Sequence, residues 1–337
     1  MNTPHLLNHT SRQTLAALSK GAHRALRLVA AAALLGISAT VVSFAGPEIA
    51  APDPKAKSED KPASSRFSGL LNIDVSNQRI TPRGLNIENQ GVVFQPMLIL
   101  GYDVYRCEDP NAFINNVNLY GGNWNSVHTH ASGNATNVGN WNETDPFVGV
   151  ATTFAKDFKF DVTGTFFISG DNAFDTSTNV NFKLSYADKF LPYGITLNPA
   201  IEAFVETTGK STFVFDSASS KQSFYFVLSI DPTYQFKTIP LTVEMPTFIN
   251  ICDEDFYQKA DGSGGGAGVA LVSTSIRLST PLTFMPECAG KWTAYVSGQY
   301  YHLFNEGALE GNTAFGGNSG KREEDMAQVH GGITCKF

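Results

Sequence analysis

The stretch FKFDVTGTFFIS, residues 158–169, alternates between two sets of side chains. One set is Phe158, Phe160, Val162, Gly164, Phe166 and Ile168, and the other is Lys159, Asp161, Thr163, Thr165, Phe167 and Ser169. Because successive side chains of a β-strand point to opposite faces, the pattern predicts a strand with one apolar and one mostly polar face. Strands in soluble proteins usually have roughly five or six residues, whereas ~9–11 tilted residues cross a bilayer.

Runs with the same period of two continue to residue 337, and no stretch after residue 66 shows convincing helical periodicity. They predict about twelve strands, whose lengths cluster around ten residues. The predicted strands lie near residues 67–75, 92–105, 115–125, 146–155, 158–168, 179–188, 195–206, 222–232, 238–249, 268–279, 292–304 and 328–337.

The connections between these strands alternate in length. Those after odd-numbered strands are mostly long and polar, such as GDNAFDTSTN at 170–179, and those after even-numbered strands are mostly shorter, such as AKDF at 155–158. Long outer loops and short inner turns are typical of up-and-down membrane barrels, with both ends of the sheet on the inner side. A spanning sheet must also close, since an open edge in hydrocarbon leaves backbone groups unpaired. The sequence therefore predicts an all-β fold, a closed up-and-down antiparallel transmembrane β-barrel of about twelve strands, within a range of about 10–14.

A secreted β-sandwich with one wet face per sheet is the alternative fold, but it requires neither ten-residue strands nor alternating loop lengths. Charged residues on the inward face also favour the barrel. In a dry sandwich core each buried charge would need a partner, whereas a hydrated lumen removes that cost. The residues predicted to line the pore are Lys159, Asp161, Lys183, Glu202, Glu206, Glu244 and Arg277.

Residues 1–45 predict a secretory signal peptide. They contain four basic residues and no Asp or Glu, the apolar run LVAAAALLGISATVV at 28–42, and the small residues Ser43 and Ala45 before the expected cleavage point. A transmembrane anchor is the alternative, but the run is short for a spanning helix of ~20 residues. The Pro-rich residues 46–65 predict a flexible periplasmic linker, and residues 66–337 the barrel. The expected location is the bacterial outer membrane.

Charge and cysteine content narrow the functional classes. Only 16% of residues are charged and the formal net charge is −7, so no basic face for nucleic acid is expected. Cys107, Cys252, Cys288 and Cys335 would lie in an oxidising compartment, and they form no CxxC and have no His pair at zinc-ligand spacing. We therefore predict no metal and no cofactor. Four cysteines allow three pairings, and Cys288–Cys335 fits the geometry, since both should lie near the inner end of the barrel.

The final strand, MAQVHGGITCKF at 326–337, places Phe337, Cys335 and Ile333 on one face. A last strand that ends in Phe, with apolar residues at alternate positions before it, resembles the signal read by the barrel assembly machinery of bacterial outer membranes. Phe337 is therefore expected to act as an assembly signal.

Residues 66–337 resemble the TorF family of outer-membrane porins. The resemblance is carried by ITPRGLNIENQGVVFQPMLILGYDV at 80–104, with its Arg83-Gly84 turn and following QP strand, by VNLYGGNWNS at 117–126, and by DPFVGVATTFAKDFKFDVTGTFF at 145–167. The long polar loop 125–144 and the N-terminal linker depart from the family. The resemblance implies a barrel with a pore function.

The segment HTHASGNATN at 128–137 offers an enzymatic alternative. His130 and Ser132 are two residues apart and would share a strand face, as the base and nucleophile of an outer-membrane lipid hydrolase would. Those enzymes have Asn directly after the Ser, whereas Gly133 follows it here. His128 and His130 lack a nearby carboxylate or Cys for a metal site. The sequence therefore predicts no catalytic residue and favours a protein that is not an enzyme.

These features favour an outer-membrane channel for passive diffusion of small polar solutes or ions. Removing the four basic residues of the signal peptide would take the net charge from −7 to about −11, and acidic residues are prominent on the inward face, so a weak cation preference is expected. A non-conducting structural or adhesive barrel is the alternative, because Phe167 and Phe204 are bulky and inward. Expected partners are outer-membrane lipid, the barrel assembly machinery and small polar solutes, but not nucleic acid. The sequence gives no oligomeric state.

Deletion of Phe337 is expected to impair membrane insertion far more than conductance per assembled molecule, because the residue would be read during assembly and does not line the predicted pore. Insertion is measured as the heat-modifiable fraction in the membrane, and conductance in planar bilayers. Normal insertion of the deletion variant would contradict the prediction.

Overall fold

The computed structural model describes residues 65–109, 111–130, 140–170, 174–208, 222–315 and 322–337. Twelve of its strands form a closed antiparallel barrel. They are β1 (Phe67–Ser76), β4 (Val93–Arg106), β5 (Ile114–His128), β6 (Trp141–Phe154), β7 (Phe158–Phe167), β8 (Ser177–Tyr186), β9 (Ala200–Glu206), β10 (Phe224–Ile230), β13 (Thr247–Cys252), β14 (Gly268–Pro281), β15 (Lys291–Leu303) and β16 (Asp325–Lys336). The connections contain the short strands β2 (Arg79–Ile80), β3 (Asn86–Glu88), β11 (Thr233–Gln235) and β12 (Thr242–Glu244). No helix in these ranges is long and apolar enough to cross a membrane.

Each barrel strand pairs with the barrel strands before and after it, and β1 pairs with β16 to close the sheet. At this seam Ile73 lies opposite Ile333. Two backbone hydrogen bonds between Gly69 and Phe337, at 2.7 and 3.0 Å, extend the pairing beyond β16. The predicted closed up-and-down barrel of about twelve strands is confirmed.

The alternation along each strand gives the barrel two different faces. In β4 the buried positions are Val93, Gln95, Met97, Ile99, Gly101 and Asp103. The exposed positions among residues 93–104 are Phe94, Leu98, Leu100, Tyr102 and Val104. The exposed set is the apolar surface that hydrocarbon requires on the outside of a membrane barrel. The buried set faces the lumen and includes polar side chains.

A tight turn joins β6 to β7, as the sequence around 155–158 predicts. Phe154 pairs with Phe158, and Ala155 and Lys156 have φ angles of 46° and 71°. The connection therefore has three residues, 155–157, and two of them have a positive φ, which is uncommon for residues other than glycine. The strand pairing on either side maintains this turn.

The two ends of the barrel differ. The loop end carries the connections 77–92, 129–140, 168–176, 207–223, 253–267 and 304–324, and the turn end carries the others. Three loop-end connections are referred to below as L1 (77–92), L5 (253–267) and L6, by which we mean the described residues 304–315 and 322–324.

At the turn end, the predicted strand near 238–249 is divided into β12 and β13. Pro246 lies at the break between them, and Pro232 lies at the corresponding break between β10 and β11. Proline has no N–H to donate to a strand ladder, so each proline interrupts the pairing.

L6 contains a helix that the sequence analysis missed, α1 (Glu306–Phe315). The Oδ1 atom of Asn305 accepts hydrogen bonds from the N–H groups of Gly307 and Ala308, at 2.9 and 3.2 Å, which is N-terminal capping. The sequence EGALEGNTAF is rich in glycine and short, so its local helical signal is small. Packing inside the barrel stabilises the helix instead.

All four cysteines are free thiols, so the Cys288–Cys335 disulfide that the sequence allowed is not formed. Cys335 is buried, and its Sγ atom donates to the carbonyl oxygen of Ala289 at 3.4 Å. Cys288 is exposed. The last strand therefore contacts the turn that contains Cys288 through the hydrogen bond of the Cys335 thiol and not through a sulfur bridge.

Candidate functional site

L1, L5 and L6 fold into the loop end of the barrel and pack against its wall. Their contribution to the main apolar cluster is Ile80, Leu85, Ile87, Phe256, Tyr257, Ala308 and Leu309. The wall contributes Phe204, Tyr225, Val227, Phe248, Leu271, Tyr301, Leu303 and Met326, among others. We call residues 79–88, Phe256, Tyr257 and α1 together the loop plug. The sequence analysis described these connections as mostly long and polar, and it did not predict that they fold inwards.

The tip of L1 is a tight turn at Thr81–Gly84. The N–H of Gly84 donates to the carbonyl oxygen of Thr81 at 2.9 Å, and the N–H of Thr81 donates to the carbonyl oxygen of Leu85 at 2.8 Å. Gly84 has a φ of 84°, and a Cβ atom there would lie 2.5 Å from Leu303 Cδ2. Only glycine combines this backbone conformation with so close an approach to the wall.

The backbone of this tip is bound by side chains from three directions. Asn250 of the wall donates to the carbonyl oxygen of Pro82 at 3.0 Å. The hydroxyl of Tyr257 donates to the carbonyl oxygen of Arg83 at 2.8 Å. Asn312 of α1 donates to the carbonyl oxygen of Gly84 at 2.8 Å, and its Oδ1 atom accepts from the N–H of Asn86 at 2.8 Å. The tip therefore has a defined position inside the barrel.

L1 also carries two buried arginines. The first, Arg79, forms an ion pair with Glu143 of the wall at 3.2 Å. Its guanidinium carbon lies 4.4 Å from the centre of the Trp124 ring, within the range of a cation–π contact.

The second arginine, Arg83, lies among aromatic rings. Its guanidinium carbon is 4.6 Å from the centre of the Phe167 ring, 5.7 Å from that of Tyr225 and 6.0 Å from that of Phe256. Its Nε atom donates to the hydroxyl of Tyr225 at 3.3 Å. With the side-chain amide of Asn179 oriented so that its oxygen faces the guanidinium, that oxygen accepts from Arg83 Nη2 at 2.6 Å.

A charge also acts on Arg83 from the wall. The carboxylate of Glu206 is 1% exposed and interacts electrostatically with the guanidinium. Glu206 lies directly opposite Asn179 in the pairing of β8 with β9. Phe167, Asn179, Glu206, Tyr225 and Phe256 together form what we call the Arg83 pocket.

Towards the turn end the wall is charged and contains six of the seven residues predicted to line the pore, all except Glu206, which lies at the loop end of β9. Asp161, Lys183 and Glu202 lie opposite one another on three adjacent strands, a row of alternating charge. Lys159 pairs with Asp161 at 3.4 Å, and Arg277 pairs with Glu244 at 3.2 Å. Glu206 belongs to the Arg83 pocket. The structure places these side chains on the inward face, and their role in conduction stays a prediction.

A second network joins Arg277 to the barrel seam. The guanidinium carbon of Arg277 lies 4.2 Å from the centre of the Tyr295 ring. The Tyr295 hydroxyl contacts Asp74 Oδ2 at 2.8 Å and Asn72 Oδ1 at 3.0 Å.

Among the described residues, several buried polar atoms of the inward face have no protein hydrogen-bond partner. They are Asp74 Oδ1, Asn118 Oδ1, Asn181 Oδ1 and His330 Nδ1. Buried polar atoms are normally satisfied by protein or by ordered water. Their number on this face is what a water-filled lumen would produce.

The segment that suggested a hydrolase does not form a complete site among the described residues. His128 is buried, and its Nε2 atom lies 2.8 Å from Ser126 Oγ. His130 contacts Thr129. Ser132, the nucleophile of that hypothesis, lies outside the described residues. Within them, no group of three or more His, Cys, Asp or Glu residues could hold a metal ion.

Sequence reasoning did not identify Arg79, Tyr257, Asn312 or the Arg83 pocket as parts of a site. The turn sequence TPRG at 81–84 was quoted only for its family resemblance. Asn305 before Glu306 is an N-cap signal that could have indicated α1.

No family model matches the chain, and no curated protein matches it. Solved structures that resemble it include an outer membrane channel from Pseudomonas putida F1, at 11% identity over 83% of this chain and 100% of that one, with a TM-score of 0.40. The transport unit of the autotransporter AIDA-I from Escherichia coli is 11% identical over 84% of this chain and 93% of that one, with a TM-score of 0.39. A porin is 11% identical over 80% and 99%, with a TM-score of 0.30. Likenesses at this level decide nothing about function.

The closed strand pairing, the apolar outward face and the buried polar inward face define the chain as a transmembrane β-barrel. The more specific resemblance to the TorF family stays a prediction, since no family model supports it.

Substitution of Asn312 by Ala is expected to loosen the tip of L1, because it removes one donor and one acceptor that bind the backbone of Gly84 and Asn86. Each buried group left without a partner costs about 1–3 kcal/mol. Hydrogen exchange of the Asn86 amide measures the effect. Thr313→Ala is the control, because the Thr313 hydroxyl donates within α1, to the carbonyl oxygen of Leu309 at 2.8 Å. Equal exchange rates in the two variants would contradict the expectation.

The pKa of Glu306 at the start of α1 is lowered by two hydrogen bonds from Arg322, at 2.8 and 2.9 Å. Because the pKa is lowered, the ion pair stabilises L6 fully when the pH is above the ordinary pKa of a carboxyl group. This stabilisation is lost as the pH falls through the lowered pKa. Titration of the Glu306 carboxyl carbon by NMR should show the lowered pKa in the wild type. It should show a pKa closer to the ordinary value in Arg322→Ala, and an unchanged pKa would refute the assignment.

Proposed function

We propose that the protein is a bacterial outer-membrane channel for small polar solutes or ions, and that the loop plug closes its loop end in this conformation. The observation that carries the proposal is the inward face towards the turn end. It holds buried carboxylates and cations together with polar atoms that no protein group satisfies. Isolated charges are expensive to bury in a dry interior, so this face is suited to water.

The inward face also supports a preference for cations. Its carboxylates, which outnumber its basic groups, are Asp74, Asp103, Glu143, Asp145, Asp161, Glu202, Glu206 and Glu244. The basic wall residues among the described positions are Arg106, which pairs with Asp103, and Lys159, Lys183 and Arg277, to which L1 adds Arg79 and Arg83. Side chains of one sign along a narrow aqueous path raise the local concentration of the opposite ion.

In this proposal the chain contains its own closing element. The described contacts of the L1 tip are polar anchors and aromatic contacts, each worth about 1 kcal/mol, rather than a covalent link. Such a segment can leave its position without unfolding the barrel, because the strand ladder beneath it does not depend on it.

A non-conducting structural or adhesive barrel is the second candidate. The apolar cluster between the loop plug and the wall favours it, because a well-packed cluster resists rearrangement. In such a barrel the polar inward face would be hydrated, but the water would not form a continuous path through the barrel.

Planar-bilayer recordings distinguish the two candidates. The comparison uses the wild type and a variant in which residues 79–88 of L1 are replaced by a Gly-Ser pair, which leaves β1 and β4 intact. A channel closed by L1 should show a severalfold higher mean conductance in the shortened variant. Folding of each preparation is checked by heat modifiability, so that loss of the barrel is not read as closure. Absence of current from both folded proteins would refute a channel that L1 closes and would favour the structural barrel.

Neutralising the charged row should change selectivity. Glu202→Gln combined with Asp161→Asn removes two lumen carboxylates and is expected to lower the potassium-to-chloride permeability ratio, as measured by the reversal potential in a salt gradient. Glu254→Gln removes a carboxylate from an exposed position in L5 and is the control. Equal reversal potentials in the three proteins would refute the proposed role of the row.

A further inference from the structure

The Arg83 pocket has the features of a site that recognises a guanidinium group. A flat cation needs an aromatic face, and Phe167 supplies one at 4.6 Å. Its N–H groups need acceptors, and the Tyr225 hydroxyl and the Asn179 amide supply two. Glu206 supplies a compensating negative charge. These groups belong to different elements that converge on one point of the inward face.

The pocket is also held rigidly. The Tyr225 ring stacks on Phe204 with ring centres 4.3 Å apart and an angle of 5° between planes, and Phe256 packs on Tyr225 at 4.6 Å. Tyr225 and Phe204 lie opposite each other on paired strands, so the ladder fixes their positions. A preformed site loses little conformational freedom on binding.

Arg83 reaches this pocket from a loop tip and not from the wall. The arginine side chain enters as a separate ligand would, while its backbone carbonyl is bound by Tyr257. A tethered group competes with free ligand at an effective concentration of about millimolar or higher.

We propose that the Arg83 pocket is a binding site for solutes that carry a guanidinium group, and that L1 occupies it with its own Arg83. The inference rests on the proposed function, because the pocket lines the same lumen. Withdrawal of the L1 tip exposes the site, and a guanidinium-bearing solute that occupies it prevents Arg83 from returning.

Arg83→Ala tests the proposal by removing the internal ligand. Isothermal titration calorimetry of the variant in detergent micelles with ethylguanidinium chloride should show one site, at least about tenfold tighter than in the wild type, where the tether competes. Ethylammonium chloride has the same charge but no planar fork, and it should bind much more weakly. Arg322→Ala removes an exposed arginine from L6 and should create no site. Arg83→Ala combined with Glu206→Gln should lose most of the affinity.

Two results would overturn the proposal. Equal binding of ethylammonium and ethylguanidinium by Arg83→Ala would show an acidic cavity without guanidinium recognition. Binding by Arg83→Ala no tighter than by the wild type would show that Arg83 is only a structural group.

A pair of variants with Arg83 intact keeps the proposal testable if Arg83→Ala does not fold. Phe167→Leu removes the ring beneath the guanidinium, whereas Phe166→Leu changes its neighbour on the outward face. Added ethylguanidinium should raise the exchange rate of the Gly84 amide in Phe167→Leu much less than in Phe166→Leu, because the free ligand needs the same ring to displace Arg83. The same response in both variants would refute the pocket.

The calorimetry does not depend on conduction. Binding without ionic current in any variant would leave the pocket standing and remove the channel. Ionic current without guanidinium binding would support the channel and refute the pocket.

Discussion

The structure depends on the pairing of every strand with two neighbours, which in hydrocarbon has no substitute. A backbone N–H or C=O that faces lipid without a partner costs several kcal/mol, so a sheet that spans a bilayer has to close. Closure occurs where β1 meets β16, and the last pair of hydrogen bonds joins Gly69 to Phe337. Once the sheet is closed, its side chains can point in only two directions.

The two directions have different solvents, and the composition of each face follows from that difference. The outward positions of β4 are apolar, and its inward positions mix Met97 and Ile99 with Gln95 and Asp103. Lipid tolerates only the apolar face. The lumen tolerates both kinds, because its apolar residues can pack on inserted loops and its polar residues can be hydrated or paired.

Apolar packing and polar pairing or hydration occur at opposite ends of the lumen. At the loop end the apolar wall packs against L1, L5 and α1. Polar groups there bind the backbone of the L1 tip, as Asn250 and Asn312 do, or the side chains of Arg79 and Arg83. Towards the turn end, charged side chains such as Arg277 and Glu244 pair across strands, and within the described residues polar atoms such as Asn181 Oδ1 and His330 Nδ1 have no protein hydrogen-bond partner. The proposed channel is inferred from the charged, polar lumen towards the turn end. Its closed state is inferred from the packed loops at the loop end. Arg83 connects the closed state with solute binding. It is a cation held in the lumen by the same groups that would bind a free guanidinium-bearing solute.

The sequence by itself determined the barrel. A period of two in 158–169, strands of membrane-spanning length and alternating connections were sufficient, because each strand pairs with the next strand in the chain and its two faces meet two solvents. It also predicted which charged residues lie on the inward face, since facing is a local property of a strand. Tertiary structure alone decided what fills the lumen. Arg83 meets Tyr225 across 142 residues, and Asn312 meets Gly84 across 228. No local period records such contacts, because the loops and α1 take their conformations from the wall against which they pack, and that wall exists only after the barrel has closed.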